Sequence, residues 1–481
     1  MSDTHCNLIA GRWRPGAHAR ENRNPSDPSD LIGLYACAGI EDVAEAAEAA
    51  AAALPAWQAQ GTQARADLLD RIAAAIDTRA VEIGTMLARE EGKILPEAIG
   101  ETRRAAQIFR FYAGEALRIP GEALASTRPG VEVTVTREPL GVVAVIAPWN
   151  FPIAIPAWKI APALAYGNAV LFKPAELVPG TAHLLAQIIH DAGCPPGIFA
   201  LLMGQGVDLG PALIADPRVA GLSFTGSVAT GQRIARDAAV RMLKIQLEMG
   251  GKNPMLVMDD ADLPTAIAAC LNGAFFSTGQ RCTATSRILV QRGIHDAFVE
   301  ALAAQAMALR VGPALEASSQ IGPVVSAAQL GSNLASVQLA RDEGCEVLGG
   351  ERLNGPEGGY FQRPALFLSA RNGMRVAQEE IFGPCAAVIP FDDFDEGLAL
   401  ANDSAFGLSA GICTTSLRHA GAFRRGARAG MVMVNLPTAG VDHHVPFGGT
   451  KGSSHGSREQ GRHAVEFYTT VKTTYAFDGA G

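Results

Sequence analysis

From Gly141 to Phe224 short apolar runs alternate with helix-length segments, and this rhythm limits the folds open to the chain more than any other feature. Gly141–Ala147 is a continuous Val/Ile run closed by Pro148, as expected of a strand buried on both faces of a parallel sheet. Similar runs recur at Ala169–Phe172, Ile198–Met203 and Gly221–Phe224, interleaved with helix-length segments at Trp158–Tyr166, Thr181–Ala192 and Val228–Ala239. The pattern predicts a doubly wound α/β unit, whose ligands sit beyond the carboxyl ends of the strands. After Leu247-Glu248-Met249-Gly250-Gly251 the rhythm restarts, with strand Met255–Met258, helix Asp262–Phe276, strand Arg287–Gln291 and helix His295–Leu309. A second α/β domain therefore begins near Gly250 and runs through strands near 386–390 and 431–434 to Pro446-Phe447-Gly448-Gly449.

The flanks read differently. Trp13–Pro28, rich in Pro, Asn, Asp and Ser, reads as loop and turns. Four amphipathic helices follow over Glu41–Ala53, Thr62–Ile76, Ala80–Glu91 and Glu97–Leu117; Leu68, Leu69, Ile72 and Ile76 share one face of the second. Val131, Val133 and Val135 alternate with Glu132, Thr134 and Thr136, the period of a half-buried or edge strand. Glu466–Tyr475 reads as a terminal strand that needs a sheet to join.

At 481 residues the chain exceeds a single simple core, and 48% apolar with 18% charged residues is a globular balance. A net charge of −8 disfavours nucleic acid, which demands clustered Lys and Arg. The start Met1-Ser2-Asp3-Thr4-His5 lacks the basic and apolar regions of a signal peptide, and no apolar run reaches spanning length. The eight cysteines are scattered singly, which fits a reducing cytoplasm better than a disulfide scaffold or a zinc site. His443, His444, His455 and His463 show no regular ligand spacing, so no metal is expected.

Several residues are placed for chemistry. Cys282, in Gly279-Gln280-Arg281-Cys282, follows a helix through a tight polar turn, although an isolated cysteine is more often a small buried hydrophobe. Asn150 stands between aromatics directly after a buried strand, a costly place for an amide unless it turns or faces a site. Glu248 closes a strand at the domain junction, where a plain surface carboxylate is the other reading. The turns at Gly204-Gln205-Gly206 and Gly226–Gly231 each precede a helix and can bring backbone N–H groups to a phosphate, although neither is a true GxGxxG. Lys173 and Glu176 end a strand where a carboxylate can accept from ribose hydroxyls; a solvated ion pair is the alternative.

Together these segments resemble the aldehyde dehydrogenase superfamily over essentially the whole chain. Pro-Trp-Asn-Phe-Pro at 148–152, Lys-Pro-Ala-Glu at 173–176, Phe-Thr-Gly-Ser at 224–227, Leu-Glu-Met-Gly-Gly-Lys at 247–252, Gly-Gln-Arg-Cys at 279–282, Glu-Glu-Ile-Phe-Gly-Pro at 379–384 and Pro-Phe-Gly-Gly at 446–449 keep that family's order and spacing. The resemblance implies an α/β aldehyde dehydrogenase fold. It has a Rossmann-like cofactor domain over 1–120 and 140–248, a catalytic domain over 249–447, and a small β oligomerisation arm from 121–139 and 464–481. It implies Cys282 as nucleophile, Glu248 as general base, Asn150 as oxyanion donor, Lys159 in support and Glu459 as proton relay. It places Trp149, Lys173, Glu176, Gly206, Phe224, Gly226, Ser227, Gly231, Glu380 and Phe382 at NAD, with NADP as the alternative. Presence of Glu248 favours hydrolysis of the acyl-enzyme over transfer to coenzyme A.

Phe151, Trp158, Phe276, Val441 and Phe447 match positions lining the family's substrate tunnel, with core aromatics as the other reading. The run from His443 to Ser454, continuing through Arg458-Glu459-Gln460-Gly461 and Phe467–Lys472, looks most like the α-ketoglutarate-semialdehyde (2,5-dioxopentanoate) branch. Succinate-semialdehyde and broad-specificity enzymes are the alternatives, the former disfavoured because Trp158 and Phe276 stand where its arginines belong. Arg104, Arg281, Ser453 and Ser454 are candidates for a substrate carboxylate. A thiol esterase and a non-catalytic relative are the readings from other classes. The resemblance implies a homodimer or homotetramer.

Overall fold

The computed structural model of the chain describes residues 4–355, 358–477 and 479. Met1–Asp3, from which the leader reading starts, lie outside the described residues, as do positions 478, 480 and 481 of the expected arm and 356–357 of the expected catalytic domain.

Two large sheets dominate. The first has eight strands in the order Arg12–Arg14, Asn7–Ile9, Phe199–Leu201, Ala169–Lys173, Val142–Ile146, Val219–Thr225, Lys244–Glu248, Ser454–His455. Its five inner strands are parallel, and the flanking strands pair antiparallel. From Val142–Ile146 the chain builds outward to Phe199–Leu201, then returns to lay Val219–Thr225 on the other side. The order thus reverses between Val142–Ile146 and Val219–Thr225, and a crevice opens at the carboxyl ends of such a pair.

The second sheet runs Glu346–Gly349, Ala365–Leu368, Cys385–Phe391, Thr285–Gln291, Asn253–Val257, Ser409–Cys413, Met431–Val434, parallel except for its first pair. Leu256 and Leu289 enter the core on one face, while Met255, Val257, Ile288 and Val290 enter the core on the other. Burial on both faces explains why these strands read as unbroken apolar runs. A third, antiparallel sheet joins Thr469–Phe477 to Val131–Pro139 and Glu122–Ala125, with Thr469 opposite Pro139 and Phe477 opposite Val131.

The four expected helices form over Ile40–Ala59, Gly61–Thr78, Ala80–Glu91 and Leu95–Ala116. Residues 13–28, read as loop, instead hold Arg12–Arg14, His18–Asn24 and the start of Asp27–Cys37, the last two paired as a hairpin. Its buried residues include Asn22 and Asn24; Asn22 donates to Glu90 at 2.7 Å, so polar contacts dock this hairpin and no apolar alternation marks it. Before the terminal strand, Val465–Tyr468 forms one helical turn. Among the described residues no helix is long and apolar enough to cross a membrane.

Candidate active site

The helix Leu263–Phe275 aims the thiol. Asp262 caps it, accepting from Thr265 N at 3.0 Å, and buried Phe275 anchors its end. The chain then turns through Phe276–Gly279, with Ser277 and Thr278 left-handed at φ 51° and 56°. Gly279 follows at φ 64°, where a Cβ would lie 2.2 Å from the Gly383 carbonyl, so only glycine fits. Gln280 accepts from Val325 N at 3.0 Å, and Asn253 Nδ2 donates to the Cys282 carbonyl at 2.8 Å. Cys282 is half-buried. Burial, then the carboxylates of Glu380 and Glu248, push its thiol up to about 12. A free thiol ionises near about 8.5, so this one needs a base before it can attack.

Glu248 ends the strand Lys244–Glu248, directly opposite Ser454. Ser454 Oγ donates to its Oε2 at 2.5 Å, and Gln246 Nε2 reaches Oε1 at 3.4 Å. Burial, then Glu459, raise this carboxyl well above the usual range, against the pull of Ser454, Lys159 and Arg458. Behind it Lys159 Nζ donates to Glu459 Oε1 and, at 2.8 Å, to Ser223 Oγ. The Ser223 hydroxyl lies 2.8 Å from Gln246 Oε1 and 3.1 Å from Glu459 Oε1 and, with one hydrogen, serves one at a time. Glu248 and Glu459 are thus joined by a buried polar chain. Ser223 and Gln246 were not singled out in the sequence; a Ser and a Gln inside otherwise apolar strands are the signal, since a buried polar group needs a partner.

Asn150 is buried, and its Nδ2 donates one N–H to the Gln280 carbonyl at 2.9 Å, leaving the second free for another acceptor. Its own carbonyl accepts from Lys93 Nζ at 2.8 Å. Lys93, also missed in the sequence, pairs with Glu101 at 2.6 Å and lies 3.9 Å from the centre of the Phe151 ring. Glu101 in turn accepts from the N–H groups of Ile153 and Ala154 at 3.1 Å.

A cavity of about 310 Å³ opens onto Cys282, and its walls include Arg104, Phe151, Trp158, Arg281, Val441 and Phe447. Trp158 and Phe447 stack at 5.3 Å. Two expectations change here. Phe276 packs against the core of the second sheet, and the Ser454 hydroxyl is spent on Glu248 while accepting from Gly449 N at 2.6 Å. Ser453 likewise is fully buried and accepts from Gly407 N at 3.0 Å, so neither serine is left to hold a substrate carboxylate.

At the switch point a second cavity of about 180 Å³ is bounded by Ile146, Glu176, Gly206, Phe224, Thr230 and Ile234. Glu176 Oε1 accepts from Gly206 N at 2.5 Å and from Lys173 Nζ at 3.2 Å. Ser227 caps the helix Val228–Ala239. A Cβ at Gly231 would lie 2.5 Å from Met249 Sδ, and one at Gly226 2.5 Å from the Phe224 ring, so both glycines permit close packing at this helix start. Trp149 and Phe382 meet edge to face at 5.3 Å, and Glu380, whose charge bears on the thiol, accepts from Gly251 N at 2.9 Å and is raised to about 7 by burial. Helix amino ends, a Lys–Glu pair and aromatic walls fit a dinucleotide.

The aldehyde dehydrogenase family model matches residues 13–474. Among curated relatives, an alpha-ketoglutaric semialdehyde dehydrogenase of Bacillus subtilis (strain 168) is 43% identical over 478 residues, 98% of each chain. An alpha-ketoglutarate semialdehyde dehydrogenase of Haloferax volcanii is 40% identical over 483 residues, 99% of each. Among solved structures, a betaine aldehyde dehydrogenase from Staphylococcus aureus in complex with NAD+ superimposes with a TM-score of 0.96 at 32% identity, covering 99% of this chain and 96% of that one.

Proposed function

Because the chain belongs to the aldehyde dehydrogenase family, we propose that this aldehyde-oxidising enzyme converts 2,5-dioxopentanoate to 2-oxoglutarate, with NAD as hydride acceptor and Cys282 as covalent station. The observation that carries the substrate is the pair of guanidinium groups, Arg104 and Arg281, in the walls of the cavity at Cys282. Of the two, Arg281 is paired with Glu97 while Arg104 has no ion-pair partner among the described residues, and Arg104 favours a carboxylate at the far end of the aldehyde and opposes the quaternary ammonium of betaine aldehyde. The names of the two semialdehyde relatives point the same way.

Glu248, whose charge already bears on the thiol, removes its proton. The thiolate attacks the aldehyde carbon, and the new oxyanion accepts from the second N–H of Asn150 and from the Cys282 backbone N–H. Lys173, Glu176, Glu380 and the helix start at Ser227 would hold the nicotinamide cofactor, which when bound supplies the acceptor for the hydride lost by the adduct. The acyl group left on Cys282 is a thioester. Glu248 takes a proton from water as its oxygen attacks that thioester. The C–S bond breaks, the thiolate regains a proton, and the carboxylate departs. The surplus proton passes from Glu248 to water, while Lys159 and Glu459, linked to it through Ser223 and the Gln246 amide, set the charge it carries. The Glu176 carboxylate opposes a 2′-phosphate, which favours NAD over NADP.

The test is kcat/KM for 2,5-dioxopentanoate, succinate semialdehyde, betaine aldehyde and pentanal with each cofactor. The reading expects the first to lead by at least tenfold with NAD. Neutral or cationic aldehydes that match it would overturn the substrate, and NADP matching NAD would overturn the cofactor.

A further inference from the structure

Three residues in the wall of the cavity at Cys282, Arg104, Trp158 and Arg281, each carry a buried side-chain N–H (Nε, Nε1 and Nε) that has no partner among the described residues. A buried N–H left unpaired costs stability, so several around one cavity mark a place completed by something else.

The two arginines are not equivalent. Arg281 is compensated: its Nη2 donates to Glu97 at 3.3 Å and to Ser277 Oγ at 3.0 Å, and its Nη1 to Asn272 Oδ1 at 3.4 Å. Arg104, among the described residues, has no carboxylate within salt-bridge reach; its one hydrogen bond is a long 3.4 Å donation to Gln460 Oε1. Gln460 is fully buried with a left-handed backbone at φ 56°, so the group that steadies Arg104 is itself firmly placed. Glu97 and Arg104 share the helix Leu95–Ala116, seven residues apart, which separates them by about 10 Å along its axis. Arg104 thus stands two turns along this helix from the carboxylate that neutralises Arg281, with Glu101 and Asp442 acting on it only from a distance. Trp158 is fixed by its stack on Phe447, and its indole N–H can only donate.

We propose that Arg104 and Trp158 form the subsite for a 2-oxo carboxylate, the guanidinium taking the carboxylate and the indole N–H the adjacent oxo oxygen. The assignment rests on the proposed acidic substrate and narrows it, because a simple ω-aldehydo acid leaves the indole donor unused. An acid bearing the 2-oxo group satisfies both donors, and the aldehyde at its other end then extends toward Cys282.

Three five-carbon aldehydes separate the contributions: 2,5-dioxopentanoate, 5-oxopentanoate and pentanal. In Arg104→Gln the ratio of kcat/KM for either acid to that for pentanal falls about 30- to 100-fold, the worth of a charge-assisted hydrogen bond. Arg104→Lys recovers part of it. Trp158→Phe keeps a stacking ring and lowers the ratio of 2,5-dioxopentanoate to 5-oxopentanoate about 5-fold. Thermal midpoints of the variants show whether they are folded, and Arg104→Gln stands alone if Trp158→Phe does not fold. An Arg104→Gln that lowers all three aldehydes alike, or none, overturns the subsite; so does a Trp158→Phe that folds and leaves the acid-to-acid ratio unchanged. A wild type that prefers pentanal defeats the proposed substrate itself. A wild type that prefers the acids with Arg104→Gln unaffected defeats only the assignment to Arg104.

Discussion

Glu248 is held between opposed influences: burial and Glu459 favour its neutral form, while the Ser454 hydroxyl, Lys159 and Arg458 favour the charged one. A general base works only when deprotonated, so a raised carboxyl puts the rise of activity at higher pH. Removing a hydrogen bond to the charged form raises it further. Ser454→Ala is therefore expected to move the ascending limb of the kcat–pH profile upward, costing about tenfold per pH unit of displacement at any pH below the limb. Steady-state kcat at half-unit pH steps checks this, and a limb that stays or moves to lower pH removes Ser454 from its role. Glu248→Gln should lower kcat by about 10²–10⁴ and slow the first turnover as well, because the same carboxylate takes the Cys282 proton and activates the hydrolytic water. An undiminished steady rate, or a first turnover as fast as that of the unmodified protein, would contradict that double assignment. Cys282, Glu248 and Asn150 stood out because each falls in one of the ordered family motifs; position at the end of an element alone left a bland reading open for Cys282 and Glu248. Ser223 and Gln246 did not, because only the fold brings residues 159, 223, 246 and 459 together.

Between the strand Val142–Ile146 and the helix Ala154–Ala165, the turn that carries Asn150 is clamped by the helix Leu95–Ala116 and the link that precedes it. Lys93 holds the Asn150 carbonyl, and Glu101 holds the N–H groups of Ile153 and Ala154. Both charged side chains are essentially inaccessible. Removing one partner of such a pair strands the other, at a cost of about 3–5 kcal/mol. Lys93→Met is expected to lower the thermal midpoint and, by loosening Asn150, to slow the step that builds the oxyanion. That second effect is read from the primary deuterium isotope effect on kcat/KM with aldehyde-deuterated substrate, which should fall toward 1 in Lys93→Met as addition comes to limit the rate, and recover in Lys93→Arg. A lowered midpoint with an unchanged isotope effect would leave Lys93 a purely structural part. Sequence periodicity reached the helices because their apolar faces repeat; it did not reach the hairpin His18–Asn24 with Asp27–Cys37, whose buried face includes asparagine. The clamp escaped notice for a related reason. Lys93 follows a helix in a charged run, where a lysine ordinarily stays in water.

At the scale of the molecule, the two large sheets supply the site and the small one reaches away from it. Alternation of Val131, Val133 and Val135 announced a strand, and the terminal segment announced another, but their pairing spans more than 300 positions and no local pattern encodes it. The register that results places Val471 opposite Arg137 and Phe477 opposite Val131. On this arm Leu124, Val471, Tyr475 and Phe477 are each at least half exposed, an apolar surface that a lone chain gains nothing by showing to water. None of these four residues is in the walls of the cavity at Cys282, and the expectation carried by the resemblance, that the arm meets a second copy of the chain, is open to test. Val471→Asp combined with Phe477→Asp puts two carboxylates on that face without touching the site. Sedimentation velocity should find the unmodified protein as a dimer or tetramer and the double variant as a smaller species. A monomeric unmodified protein, or a double variant that sediments as the parent does, would show that this apolar arm holds no copies together.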